Sequence, residues 1–210
     1  MGVYGGFEKK SRYIILMEII IHRVNTIQEL DELPEAYGAE IDIRAFGEDL
    51  ILNHEPFQIG DRLEDYLEKY HHGTLILNIK EAGIEDSVLE MVRCNPQIAS
   101  YFLLDVEFPY LYRSSREGNK SIAVRFSEDE SLETVKKYSH LVDWVWIDTN
   151  TKLPIDAESM ETLSKFKSCL VCPERWGRPQ DIDAYRKMIF DMDVELDAVM
   201  TSKECAKLWL

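Results

Sequence analysis

Apolar positions along the chain follow two alternating rhythms. Short runs rich in β-branched or aromatic residues recur at 18–21, 39–43, 74–79, 101–104, 121–126, 143–147, 168–171 and 198–200. Runs of this length and composition predict strands. Each is followed by a segment with helical character, at 26–37, 61–70, 84–93, 109–116, 131–139, 157–166, 179–192 and 202–208. Ile27, Leu30 and Leu33 mark the buried stripe of the first helix, and Leu63, Tyr66 and Leu67 that of the second. Pro179 suits a first helical turn, where its missing N–H costs nothing. Ser131 with Thr134, and Asp156 with Ser159, are weaker helix-start signals. Eight strand–helix pairs in succession are the number that closes a parallel α/β barrel, a (β/α)8 TIM barrel; an open doubly wound sheet usually has fewer. At 210 residues the connections must be short. The pattern starts at Met17, so residues 17–210 are expected to form a single barrel domain and residues 1–16 an N-terminal extension.

Composition narrows the function classes. The apolar fraction is 45% and the charged fraction 30%, as in ordinary globular chains. A net charge of −15, from 24 basic and 39 acidic residues, argues against nucleic acid and anionic membranes as partners. It leaves room for a phosphate-bearing substrate, because a cation and a few local basic groups can reverse the sign inside one pocket. No run reaches the roughly 18 apolar residues that span a bilayer. The apolar run from Tyr13 to Ile21 is broken by Glu18 and leads into His22-Arg23 without a small-residue cleavage site, so a cytoplasmic protein is expected. A homo-oligomer is neither required nor excluded. Cys169 and Cys172 form a C-x-x-C, but on a strand residues three apart point to opposite faces. These two, like Cys94 and Cys205, are expected to be reduced thiols rather than a metal or redox pair.

In such a barrel the chemistry lies at the C-terminal strand ends. Those positions hold His22-Arg23, then Glu40 and Asp42, then His54-Glu55 in a loop, Asn78 and Lys80, Asp105, Arg125, Asp148 and Glu174. Glu40 and Asp42 are two apart on one strand and share a face, with Ala39, Ile41 and Ile43 on the other. Asn78 and Lys80 repeat that arrangement on the neighbouring strand. Two carboxylates aimed into a barrel mouth repel and lose hydration unless a cation joins them. Hard oxygen ligands suit Mg²⁺ or Ca²⁺, with Asn78 adding a neutral oxygen. His22 and His54 would flank that point as an acid and a base around one phosphate. Asp105 and Asp148 are expected to be structural helix caps. Arg125 and Glu174 are divided between substrate contact and structural ion pairs. Trp146 and Trp176 are candidate pocket walls or plain packing, and His71-His72 is expected to close a helix C-terminus.

The order His22-Arg23, Glu40-Ile41-Asp42, His54 resembles the H-R … E-x-D … H-D signature of glycerophosphodiester phosphodiesterases, with Asn25-Thr26, Arg44 and the run from Leu75 to Lys80 also similar. The resemblance covers residues 17–80, with weaker features at 171–177 and 198–201. It implies a barrel of the phospholipase-C-like phosphodiesterase type and metal-dependent cleavage of a small phosphodiester. Glu40, Asp42 and Asn78 would bind the metal, His22 and His54 would move protons, and Arg23 and Lys80 would hold the phosphate. In such chemistry a substrate hydroxyl attacks phosphorus to give a cyclic phosphate, which water then opens. Three positions depart from the pattern. Val24 stands for a glycine, Glu55 for an aspartate, and Asn78 for the third-strand glutamate. These departures leave open a related lipid, inositol or glycan phosphodiesterase or lyase, and a non-catalytic phosphate-binding barrel.

Overall fold

A computed structural model describes residues 17–210; the expected extension at 1–16 lies outside the described residues. Nine strands form one sheet: β1 (Glu18–Ile21), β2 (Gly38–Phe46), β3 (Asp49–Leu52), β4 (Leu75–Ile79), β5 (Tyr101–Leu104), β6 (Ala123–Phe126), β7 (Trp144–Ile147), β8 (Lys167–Val171) and β9 (Ala198–Thr201). Eight are parallel and run in the order β5-β4-β2-β1-β9-β8-β7-β6. A parallel bridge between Leu103 and Ile122 closes the seam from β5 to β6, so the sheet is the expected (β/α)8 barrel. The ninth strand, β3, had no counterpart in the predicted pattern. It pairs antiparallel with the overlong end of β2, from Ile43 opposite Leu52 to Phe46 opposite Asp49.

The helices are α1 (Ile27–Asp31), α2 (Leu63–Lys69), α3 (Glu85–Arg93), α4 (Phe108–Arg116), α5 (Leu132–Tyr138), α6 (Ala157–Leu163) and α7 (Ile182–Asp191). Two expectations fail in length. The first helix was expected over 26–37 but stops after Asp31, because Pro34 disfavours helical backbone at Leu33. The eighth, expected over 202–208, is only a 3-10 turn at Ala206–Leu208. Its end places Trp209, whose Nε1 donates to Cys172 Sγ at 3.1 Å. The start signals hold: Asp156 caps α6 reciprocally with Ser159, and the Ser131 side chain accepts from the Glu133 amide.

Alternation along each strand sorts the core into two layers. Ile19, Ile41, Leu77, Leu103, Val124, Val145, Leu170 and Val199 face the helices. Ile20, Ile76, Phe102, Trp144, Trp146, Cys169, Val171 and Met200 fill the barrel. Cys169 and Cys172 fall in different layers, as strand geometry requires, and all four cysteines are free thiols. Burial raises both thiols of the C-x-x-C, which disfavours thiolate chemistry. Glu18 plugs the N-terminal end, accepting from the Thr74 amide at 2.5 Å and from its hydroxyl at 2.7 Å. The close packing there excludes a side chain at residue 38, where a Cβ would stand 2.3 Å from the Thr74 carbonyl oxygen. No helix of the described residues is long and apolar enough to cross a membrane.

Candidate active site

The opposite, C-terminal end of the barrel collects the polar residues. Glu40 and Asp42 project inward from β2, almost wholly buried, and Asn78 lies beside them on β4 in register with Asp42. Asn78 Nδ2 donates to Glu40 Oε1 at 2.8 Å, and the Arg23 amide donates to Glu40 Oε2 at 2.8 Å. That second bond needs an unusual backbone. Arg23 has φ 57°, left-handed for a residue with a Cβ, which costs roughly 1–2 kcal/mol. Asn25 holds Asp42 from both sides, donating Nδ2 to Oδ2 at 2.7 Å and accepting from the Asp42 amide at 2.8 Å. Lys80 Nζ stands 3.0 Å from Asp42 Oδ1, and Arg23 Nε is 3.7 Å from Oδ2.

His22 faces the same cluster, its Nε2 3.8 Å from Glu40 Oε2. Burial, together with the Arg175 and Arg23 guanidiniums, pushes its imidazole down to about 3 against the pull of Asp42. The ring is therefore neutral at pH 7. Burial and the neighbouring Asp42 push the Glu40 carboxyl up to about 7, opposed by the hydrogen bonds from Asn78 and the Arg23 amide.

His54 stands on the rim. Its carbonyl accepts from Arg44 Nε at 3.2 Å and Nη2 at 2.9 Å, while Arg44 Nη1 reaches the Lys80 carbonyl at 3.4 Å. The loop carrying it is closed by a bond from the Leu52 amide to the Asp61 carbonyl. The His54 ring contacts Glu55, with Nδ1 2.7 Å from Oε1, rather than the buried acids. On the far side, Arg125 is ringed by Asp105, Glu130 at 3.1 Å and Asp148 at 2.5 Å. Burial pushes Asp148 up to about 6 despite the Arg125 partner. Lys80 lies 3.9 Å from Asp105 and so joins this network to the first. Glu174 is apart from both. Its Oε1 accepts from the Thr201 hydroxyl at 2.8 Å and the Ser202 amide at 2.7 Å.

The cap role expected of Asp105 and Asp148 is not found. Glu107 precedes α4 and Asp156 caps α6, while both aspartates pair with Arg125; Asp105 itself takes φ 59°. Trp146 packs edge-on against Phe102 inside the barrel, 6.5 Å between rings, and Trp176 is half exposed. His72 Nε2 donates to the Leu33 carbonyl oxygen at 3.0 Å. Sequence reading passed over two residues as members of the site. Asn25, noticed only in the family pattern, holds Asp42. Arg175, in the 3-10 turn Pro173–Trp176, acts on His22 from across the mouth.

The donor set tests the expected cation. Both Glu40 oxygens and Asp42 Oδ2 accept from protein N–H groups; Asp42 Oδ1 has no hydrogen-bond partner but stands 3.0 Å from the Lys80 ammonium. Asn78, the expected third ligand, turns its amide nitrogen toward Glu40, and its Oδ1 is buried without a hydrogen-bond partner. Among the described residues no group of three or more His, Cys, Asp or Glu is arranged to hold a metal ion. As placed, these residues do not fit a divalent cation.

Barrel and polar mouth together define a protein of the (β/α)8 class with an ionic strand-end cluster. Among solved structures, the fold is similar to a glycerophosphodiester phosphodiesterase from Agrobacterium tumefaciens, with a TM-score of 0.64 at 14% identity over 90% of this chain and 99% of that one. A second Agrobacterium tumefaciens protein, provisionally assigned as a glycerophosphoryl diester phosphodiesterase, also gives 0.64, at 10% identity over 92% and 96%. No family model and no curated protein matches the sequence. Likeness at such identity establishes the fold; the chemistry is argued from the site.

Proposed function

We propose that the protein cleaves a small phosphodiester at the C-terminal mouth of its barrel, with His22 and His54 as the proton-transfer pair and Arg23 and Lys80 as counter-charges for the phosphate. The observation that carries this reading is the buried, neutral His22 ring held 3.8 Å from Glu40 among Arg23, Lys80 and Arg175. The cations around this unprotonated ring favour an anionic ligand, and a bound phosphate offsets their charge and raises the proton affinity of the imidazole, so that His22 accepts a proton in the complex. Glu55 orients the His54 ring through Nδ1, leaving Nε2 for the leaving oxygen. His22 then takes the proton of the attacking hydroxyl while His54 supplies one to the departing alkoxide. When the attacker is the substrate's own hydroxyl, the first product is a cyclic phosphate; when it is water, the products are a phosphomonoester and an alcohol. Arg125, with its three acids, would shape the far wall against the substrate's alcohol portion.

The test is a panel of glycerophosphodiesters and inositol, sphingolipid and glycan phosphodiesters, with detection of cyclic and open phosphates. His22→Ala and His54→Ala should each lower turnover by about 10²-fold or more while the far-ultraviolet circular dichroism is unchanged. Variants that turn over substrate as fast as the parent would end this reading. A second reading, a non-catalytic phosphate-binding barrel, is favoured by the Asn78 amide bound to Glu40. It predicts binding of glycerol 3-phosphate without turnover of any member of the panel.

A further inference from the structure

We infer that Lys80 and Asn78 stand in for the divalent cation at the barrel mouth, so that the Glu40–Asp42 pair takes neither Mg²⁺ nor Ca²⁺. Two buried carboxylates two residues apart on one strand need positive charge and hydrogen-bond donors. The chain supplies both from β4 and the segment after β1. The Lys80 ammonium lies 3.0 Å from Asp42 Oδ1, Asn25 donates to Oδ2 at 2.7 Å, and Asn78 and the Arg23 amide each reach one oxygen of Glu40 at 2.8 Å. Both Glu40 oxygens and Asp42 Oδ2 thus accept from protein donors, while Asp42 Oδ1, which has no hydrogen-bond partner, faces the Lys80 ammonium where a cation would otherwise supply the charge. Lys80 is also held in place, between Asp42 and Asp105. Counting Glu40 and Asp42 as acids, Arg23 and Lys80 as bases, the formal charge of the inner cluster is zero before any ion enters. A third carboxylate at residue 78 would make it negative and supply an acceptor in place of a donor. Where the mouth is a phosphodiester site, the reading on which this consequence rests, the ligand's negative charge meets Lys80 and Arg23 directly.

The experiment is calorimetric titration of the full, EDTA-treated and desalted chain with MgCl₂ and with CaCl₂, beside thermal melts in each salt. The wild type should show no saturable heat below about 10 mM of either ion and no ion-specific rise in Tm. The double variant Asn78→Glu, Lys80→Met should gain saturable binding at least about tenfold tighter than that limit. Saturable wild-type binding in the low-millimolar range or tighter overturns the inference and needs no variant. A folded double variant that gains nothing overturns the role given to these two residues. Should the double variant not fold, Asn78→Asp takes its place, with the same gain expected in direction. A separate titration with glycerol 3-phosphate in EDTA distinguishes the two readings. Wild type that ignores both cations and the phosphate ester sinks the phosphodiester reading and leaves this one standing. Phosphate binding that appears only on adding Mg²⁺ or Ca²⁺ overturns this one and leaves the other.

Discussion

Replacing His22 with asparagine removes a titrating group whose folded and unfolded states differ widely in proton affinity. Burial, with Arg175 and Arg23, pushes the folded ring down to about 3 from an ordinary value of 6.5. As the pH falls below 6.5, the unfolded chain takes up a proton at this residue that the folded chain refuses. Stability from this source is therefore full above 6.5 and lost as the pH falls toward 3, at about 1.4 kcal/mol for each pH unit. From about pH 6.5 to about 4.5 the parent should lose about 2 kcal/mol relative to His22→Asn, because the slope is only half developed at the upper end. Glu40 works in the opposite sense. Its carboxyl is pushed up to about 7, so its contribution declines as the pH rises from 4.5 to about 7. The two slopes offset each other in the parent, which is why the comparison must be between variant and parent at each pH. Urea unfolding of both proteins at four pH values across this window supplies the numbers. Parallel curves would show that His22 titrates as it does in water. The burial of this ring among the guanidiniums, on which its place in the site is argued, would then be wrong.

Two further substitutions probe the frame around the site. Arg125→Met strands Asp148, which is 2% exposed, and should cost about 3 kcal/mol at pH 8. The loss should shrink at pH 5, below the raised Asp148 value of about 6, and equal losses at both pH values would contradict the burial of that carboxylate. Gly38→Ala would place a Cβ 2.3 Å from the Thr74 carbonyl oxygen at the N-terminal plug and should cost about 1–3 kcal/mol, read as a lowered Tm. An unchanged melt would mean the plug is looser than its contacts indicate.

The polar mouth also explains why two residues accept backbone conformations that side chains disfavour. Arg23 and Asp105 both take positive φ within two residues of their strand ends, at 57° and 59°. At Arg23 the left-handed turn aims the amide at Glu40; at Asp105 it accompanies the pairing with Arg125 and the approach to Lys80. Strain of this kind persists only where surrounding contacts overdetermine it, and here it sits where ions converge.

What the sequence alone determined is what depends on neighbours along the chain. Short apolar strands buried on both faces, such as Tyr101–Leu104 and Glu18–Ile21, are written in local composition, and so is the sharing of one face by Glu40 and Asp42. The divergence of Cys169 and Cys172 follows from the same two-residue period. What only tertiary structure decided is which distant groups satisfy the buried charges. Asn25 on Asp42, Asn78 as a donor to Glu40, Arg125 among acids from three separate segments, and Arg175 near His22 all require the barrel to close before they meet. The β3 arm belongs there too: its pairing depends on β2 running on past the barrel, so only the folded chain shows it as a strand. A buried carboxylate takes whichever donors the fold brings within about 3 Å, and that choice is long-range by nature.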